Sequence, residues 1–288
     1  MKIIVKKDGE LLDYLYNNID MPKKRIKQYL THGAIFVNNT KTTKYNYRIL
    51  PGMTIMIDTD SKNKKTLPFD ILFEDDHIIV VNKPSGLLTI ATAKEKEKTL
   101  YHIVREYLVS KDKNARVFIV HRLDKDTSGL MLVAKNEFTH EKLSEMIGKK
   151  DVERKYLAIV DGLIKHDTGT IDAPIGRDPN NRQKMAVTDI NGKDSITHFK
   201  VLERFDNNTF IECILETGRT HQIRVHMNYI GFPINNDPLY GRGKSTEFGQ
   251  MLHSYSIKFN HPRTGKKLSF RVDPPKEFMD KLNELRQN

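Results

Sequence analysis

Apolar positions at helical spacing open the chain: Leu11, Leu12, Leu15 and Ile19 mark one face of a short amphipathic helix. Pro22, a favoured first-turn residue, starts a second helix that carries Ile26, Tyr29 and Leu30 on one side and stops at Gly33. Residues 34–37 and a segment ending at 52–57 read as strands, with a turn at Asn38-Asn39 after the first. Residues 58–66 are polar, without an apolar anchor. They place a linker at 61–66 between a unit of residues 1–60 and a larger domain of residues 67–288. In that domain, residues 69–73 and 78–81 predict a hairpin turned at Asp75-Asp76, broken by Lys83-Pro84-Ser85-Gly86. A helix is predicted over 99–109, and a second, capped by Asn136, carries Phe138, Leu143, Met146 and Ile147 as far as Gly148. Residues 156–160 and several stretches of 185–216 read as strands, and 220–230 as a helix ending at Gly231. The order lacks regular strand–helix alternation. It predicts an α+β fold with a mixed, largely antiparallel sheet and flanking helices.

Charge changes the picture at the amino end. The chain of 288 residues has 48 Lys+Arg against 37 Asp+Glu, a balance of +11. Residues 1–66 hold 13 of the basic and 6 of the acidic residues, so the excess is concentrated there. Lys23, Lys24, Arg25 and Lys27 crowd the start of the second helix, where the helix dipole prefers anions. Phosphate is the partner that would gain from them. The one cysteine, Cys213, lies in an apolar run and is expected to be a buried thiol, which leaves no intrachain disulfide and no cysteine metal site. No window approaches the ~20 apolar residues of a membrane span, and the first residues lack the apolar segment of a signal peptide. A cytoplasmic protein is expected, with a monomer as the default state.

Candidate chemistry is concentrated between the apolar runs 117–120 and 130–134. There the chain reads His121-Arg122-Leu123-Asp124-Lys125-Asp126-Thr127-Ser128-Gly129. A strand, a polar turn and a second strand would set these groups at the rim of a sheet. Arg122 and Asp124 share a face if that stretch is extended. Asp126, with Thr127, Ser128 and Gly129, suits a hydrogen-bonded turn.

This nine-residue stretch resembles the signature of RluA-type RNA pseudouridine synthases. Three further stretches agree in order: Val81-Asn82-Lys83-Pro84-Ser85-Gly86, Arg154-Lys155-Tyr156, and Gly218-Arg219-Thr220-His221-Gln222-Ile223-Arg224-Val225-His226. Residues 1–60 resemble the αL RNA-binding domain of a small-subunit ribosomal protein, with Pro22-Lys23 where Ser-Arg is usual. The resemblance implies an isomerase that detaches uracil from its ribose and rejoins it through a ring carbon, without a cofactor. It implies Asp124 as catalyst, Arg224 as its basic partner, and Tyr156 stacked against the uracil with Ile223 on the other side. It also implies that Arg122 fills the place of a flipped base. Lys83, Arg177, Arg182, Lys184 and Arg219 are candidates for phosphate contacts. The implied partner is structured RNA, either large-subunit ribosomal or transfer RNA. Two stretches depart from the family pattern, Asn235-Asn236-Asp237 and Val272-Asp273-Pro274-Pro275, and both are expected to lie away from the catalytic motifs. Two other readings stand beside it: an RNA-binding assembly factor with an idle catalytic domain, and a glycosidase using Asp124 and Asp126 as paired carboxylates.

Overall fold

The computed structural model of the chain describes residues 1–31, 33–38, 40–58, 67–92, 95–181, 183–243 and 245–287. The expected linker at 61–66, Asn39 of the expected turn, and Arg182 lie outside these residues. Two compact units are present, Met1–Leu67 and Pro68–Asn288.

The first unit holds β1 (Lys2–Ile4), β2 (Gly9–Glu10), α1 (Leu11–Asn18), α2 (Lys23–Thr31), β3 (Ile35–Val37), β4 (Thr40–Thr42), β5 (Arg48–Ile49) and β6 (Thr54–Ile57). An antiparallel sheet runs β1-β6-β3-β4, and β2 pairs with β5. Leu11 and Leu15 of α1 and Ile26, Tyr29 and Leu30 of α2 bury one face against Ile35, Ile55 and Ile57 of the sheet. Gly33 follows α2 at φ +64, a conformation that glycine adopts without strain.

The second unit continues with β7 (Asp70–Glu74), β8 (Ile78–Lys83), α3 (Leu100–Lys111), β9 (Phe118–Ile119), β10 (Ser128–Ala134), α4 (Glu137–Gly148) and β11 (Glu153–Asp161). Then follow β12 (Thr168–Asp172), β13 (Ile175–Arg177), β14 (Met185–Val187), β15 (Ile196–Arg204), β16 (Asn208–Leu215), α5 (Gln222–Tyr229), β17 (Leu252–Asn260), β18 (Lys267–Arg271) and α6 (Lys276–Gln287). Its large sheet runs β12-β15-β16-β11-β17-β10-β8-β7, with β18 beside β17 and β9 beside β10. Every pairing in it is antiparallel except β10 with β17, so the fold is α+β with a largely antiparallel sheet, as expected.

Local chemistry explains several boundaries. The Asp75 carboxylate accepts from the amides of His77 (2.7 Å) and Ile78 (2.8 Å), which closes the β7–β8 turn. Thr99 and Asn136 cap α3 and α4 through their side-chain oxygens. Helix α5 starts at Gln222, two residues later than the apolar pattern predicts, because His221 is held at φ +58. All seven residues of β10 are buried, making this strand the spine of the unit. Among the described residues no helix is long and apolar enough to cross a membrane.

Candidate active site

The polar stretch between β9 and β10 forms a loop pinned from several sides. The Thr89 hydroxyl donates to the Leu123 carbonyl at 2.7 Å. His121 Nε2 accepts from the Leu132 amide at 3.0 Å, and burial, with the charge of Arg154, pushes its pKa down to about 3. His121 is therefore a neutral acceptor that ties the loop to β10. Ser85 donates to the Asp126 carbonyl at 3.0 Å. Gly129 sits at φ +111 with the Ser254 backbone so near that a Cβ would lie 2.2 Å from its carbonyl oxygen. No other residue fits that approach of β10 to β17.

Lys83 corrects an expectation. Proposed for phosphate, it is fully buried instead. Its Nζ donates to the carbonyls of Pro84 (2.9 Å), Leu87 (2.8 Å) and Lys125 (2.9 Å). Burial lowers its pKa to about 7 against the opposing fields of Asp124 and Asp126. Three carbonyls match the three N–H bonds of an ammonium, so the protonated form is the one this nest is built for. Lys83 ties the 84–87 turn to the loop beside Asp124 and has no donor left for RNA.

Asp124 is carried by the loop, and Arg224 by the first turn of α5. Arg224 Nη1 donates to Asp124 Oδ2 at 2.9 Å. The rest of the guanidinium is held by Asp237, with Nε to Oδ2 at 2.7 Å and Nη2 to Oδ1 at 2.8 Å. Asp237 Oδ1 also accepts from the amides of Leu239 (2.8 Å) and Tyr240 (3.0 Å). Burial opposes the charge of Asp237, but the bond and field of Arg224 and these amides outweigh it, so its pKa lies below the ordinary carboxylate value. Burial opposes the charge of Arg224 too, and its two carboxylates more than restore it. The guanidinium also lies 5.1 Å from the centre of the Tyr240 ring. The Tyr240 hydroxyl accepts from the Met185 amide at 2.8 Å, which leaves its hydrogen for His221 Nδ1 at 2.9 Å. That places the ring proton of neutral His221 on Nε2, 3.9 Å from Asp124 Oδ1. Burial is the main cause of the lowered pKa of His221.

These groups open onto a cleft of 480 Å³. Asp124, Arg224, His221, Tyr156, Ile223 and Arg122 all line it, as do Arg154 and Leu252. Tyr156 and Ile223 are buried and Arg122 is exposed. Burial raises the Tyr156 hydroxyl, while Arg154 and a hydrogen bond with Ser254 act the other way. Tyr156 follows a register shift in the β11–β17 pairing. Arg154, two residues before it, shares its face of the strand.

The family model described as RNA pseudouridylate synthase matches residues 77–229, a span that holds this loop and α5. This chain belongs to that family. The synthase is 44% identical over 278 residues to "Uncharacterized RNA pseudouridine synthase YlyB" of Bacillus subtilis (strain 168), covering 93% of this chain and 91% of that one. It is 38% identical over 286 residues to "Ribosomal large subunit pseudouridine synthase D" of Neisseria meningitidis serogroup B, covering 93% of this chain and 76% of that one. Its fold is also that of the solved "Human RNA Pseudouridylate Synthase Domain Containing 4", with a TM-score of 0.61 at 24% identity over 75% of this chain and 92% of that one. The chain is therefore an RNA pseudouridine synthase, an isomerase whose substrate is RNA.

The structure brings Asp124, Tyr156, Arg224, Arg122, Ile223 and Arg219 of the expected residues to one cleft. Lys184 is half-buried, its Nζ 5.6 Å from the centre of the Tyr240 ring, and Arg177 is exposed; neither lines the cleft. Asp126 does not line it either, and its carboxyl is packed beside Gly249, so the paired-carboxylate reading with Asp124 loses its geometry. The stretch at 235–237, expected to lie away from the catalytic motifs, supplies Asp237 to Arg224. That expectation is corrected. Sequence reasoning missed Asp237, Tyr240, His221 and Arg154. A carboxylate in a Pro-Leu-Tyr-Gly turn after the helix was the only signal for Asp237. Among the described residues no group of three or more His, Cys, Asp or Glu could hold a metal ion.

Proposed function

We propose that this synthase isomerises uridines of large-subunit ribosomal RNA, with Asp124 as the catalytic carboxylate and the target base flipped into the cleft. The observation that carries this reading is the Asp237–Arg224–Asp124 chain, buried at Asp237 and Arg224, which holds the Asp124 carboxylate at the wall of a cleft where Tyr156 and Ile223 supply apolar surface. Three ionised groups in that chain carry a net negative charge. The charge that Arg224 leaves uncompensated faces the cleft at Asp124, as attack on a sugar carbon or removal of a ribose proton requires. Tyr156 and Ile223 supply the two apolar walls for a flat base. Arg122, exposed at the rim, is suited to stack where the base has left the helix, offsetting part of an unstacking cost of a few kcal/mol. The ribosomal target rests on the name of the Neisseria relative.

Unmodified large-subunit ribosomal RNA labelled with tritium at carbon five of uridine tests this directly. The purified chain is expected to release tritium to water, in step with new pseudouridines found by chemical mapping at a small number of positions. Tritium release from transfer RNA alone would overturn the ribosomal target. Release of free uracil in place of pseudouridine would overturn the isomerisation.

The first unit would add a sequence-independent grip through Lys23, Lys24, Arg25 and Lys27 of α2, all of which are exposed. Replacing Lys24 and Lys27 by alanine is expected to weaken RNA binding and flatten the slope of log affinity against log salt by about 2, with little change in the turnover rate at saturating RNA. Filter binding at several salt concentrations reads this out. An unchanged slope would remove α2 from the interface.

A further inference from the structure

Of the two cleft guanidiniums that the mechanism above does not use, Arg219 is exposed and donates to the Asp194 carbonyl, whereas the surroundings of Arg154 are unusual for an arginine. It is 4% exposed yet lines the cleft beside Tyr156. Among the described residues no carboxylate lies within ion-pair distance of it, and its buried Nε has no hydrogen-bond partner. Nη2 makes one long bond, to the Thr217 carbonyl at 3.4 Å. Arginine keeps its proton, so a positive charge stands here that the protein itself does not pair. Gly218 lies against the guanidinium so closely that a Cβ would be 2.9 Å from Nη1. Gly218 thus leaves room at the cleft wall for the end of the Arg154 side chain.

We infer that Arg154 donates to an exocyclic oxygen of the target uracil and stabilises the negative charge that the base acquires when its bond to ribose breaks. This rests on the proposed reaction. Isomerisation cleaves the C1′–N1 bond, and the electron pair stays with the base. The departing ring is then an anion whose charge is spread over N1, O2 and O4. Whether Asp124 first bonds to C1′ or takes a ribose proton, the base leaves as this anion. After the ring turns, C5 bonds to C1′ as the Asp124–C1′ bond breaks, or the ribose recovers its proton from Asp124; the proton on C5 passes to water and N1 gains a proton from water, so atoms and charge balance. Before reaction the uracil is neutral and Arg154 is unpaired. At cleavage the charge it lacks appears within the cleft. A fixed donor that meets charge only as it develops accelerates the step more than it strengthens binding. Arg154 thus complements Arg224: one guanidinium orients the carboxylate acting on the sugar, and the other receives the charge on the base.

Single-turnover tritium release from the labelled ribosomal RNA, together with filter binding of the same RNA, tests this against the wild type. Arg154→Gln is expected to lower the rate at saturating enzyme by about 10²-fold or more, with RNA affinity nearly unchanged. Arg154→Lys, which keeps the charge, is expected to recover part of that loss. Gly218→Ala retains the arginine but pushes its flexible end aside, and is expected to slow the same step with the thermal midpoint preserved, which covers the case of Arg154→Gln failing to fold. A saturating rate left at the wild-type value in Arg154→Gln or in folded Gly218→Ala would overturn the inference. So would a loss confined to affinity with a salt slope reduced by about one, the mark of a phosphate contact. A wild-type chain that releases no tritium would instead refute the proposed function itself, so the two failures are distinguishable.

Discussion

Asp124→Asn is expected to remove turnover almost completely, by about 10⁴-fold or more, while the protein folds and binds RNA as before. The change is isosteric. An amide oxygen can still accept from Arg224 Nη1, and the Nε and Nη2 bonds of that guanidinium stay on Asp237. The loop keeps its other ties, from Thr89 to Leu123, from Lys83 to Lys125 and from His121 to the Leu132 amide. What is lost is the charge: an amide can neither attack an anomeric carbon nor accept a ribose proton at neutral pH. Tritium release measured in single turnover, with filter binding and a thermal melt alongside, separates these effects. A variant that retained even a few per cent of the wild-type rate would show that the carboxylate is not the catalyst. The glycosidase and idle-domain readings also part here. An assembly factor with an idle site would be indifferent to the substitution.

Much of this arrangement was legible along the chain, because it depends on short-range patterns. The apolar run of β10 and the polar stretch before it mark a loop at a sheet rim, and the loop does carry Asp124. Asn136 as a cap, the spacing of Ile26, Tyr29 and Leu30, and Asp75 at the hairpin turn are local chemistry read over a few residues. The rest depends on contacts between distant segments. Lys83 looks like any surface cation until carbonyls from 84, 87 and 125 converge on it. Arg154 shares a strand face with Tyr156, as residues two apart do, and nothing nearby shows that it lacks a carboxylate. Asp237 follows Arg224 by 13 residues across a helix end and a turn, beyond the reach of either periodicity. His221 reads as the start of a helix, but its left-handed backbone takes it out of α5 and points it back to Asp124 and Tyr240.

Asp237→Ala should be the most damaging of the substitutions at this site for stability. It removes two charge-assisted bonds from Arg224 and the acceptor for two backbone amides, all in a buried setting. Breaking the buried pair from this side leaves Arg224 Nε and Nη2 and two backbone amides without acceptors, with Asp124 the one carboxylate still on the guanidinium, and about 3–5 kcal/mol of folding free energy is expected to go with it. Activity is expected to fall as well, since Arg224 Nη1 is aimed at Asp124 by the grip of Asp237 on Nε and Nη2. The pH dependence gives the claim a second readout. Because the folded-state pKa of Asp237 lies below its unfolded value, its contribution is complete above about pH 4 and is lost as pH falls through the lower native value. Wild type should therefore lose stability on acidification more steeply than Asp237→Ala, and the gap between them should narrow toward low pH. Urea unfolding midpoints at neutral pH and at about pH 3 measure both quantities. Equal midpoints at neutral pH would mean that Arg224 needs only Asp124, and that the second carboxylate does not hold the catalytic pair in place.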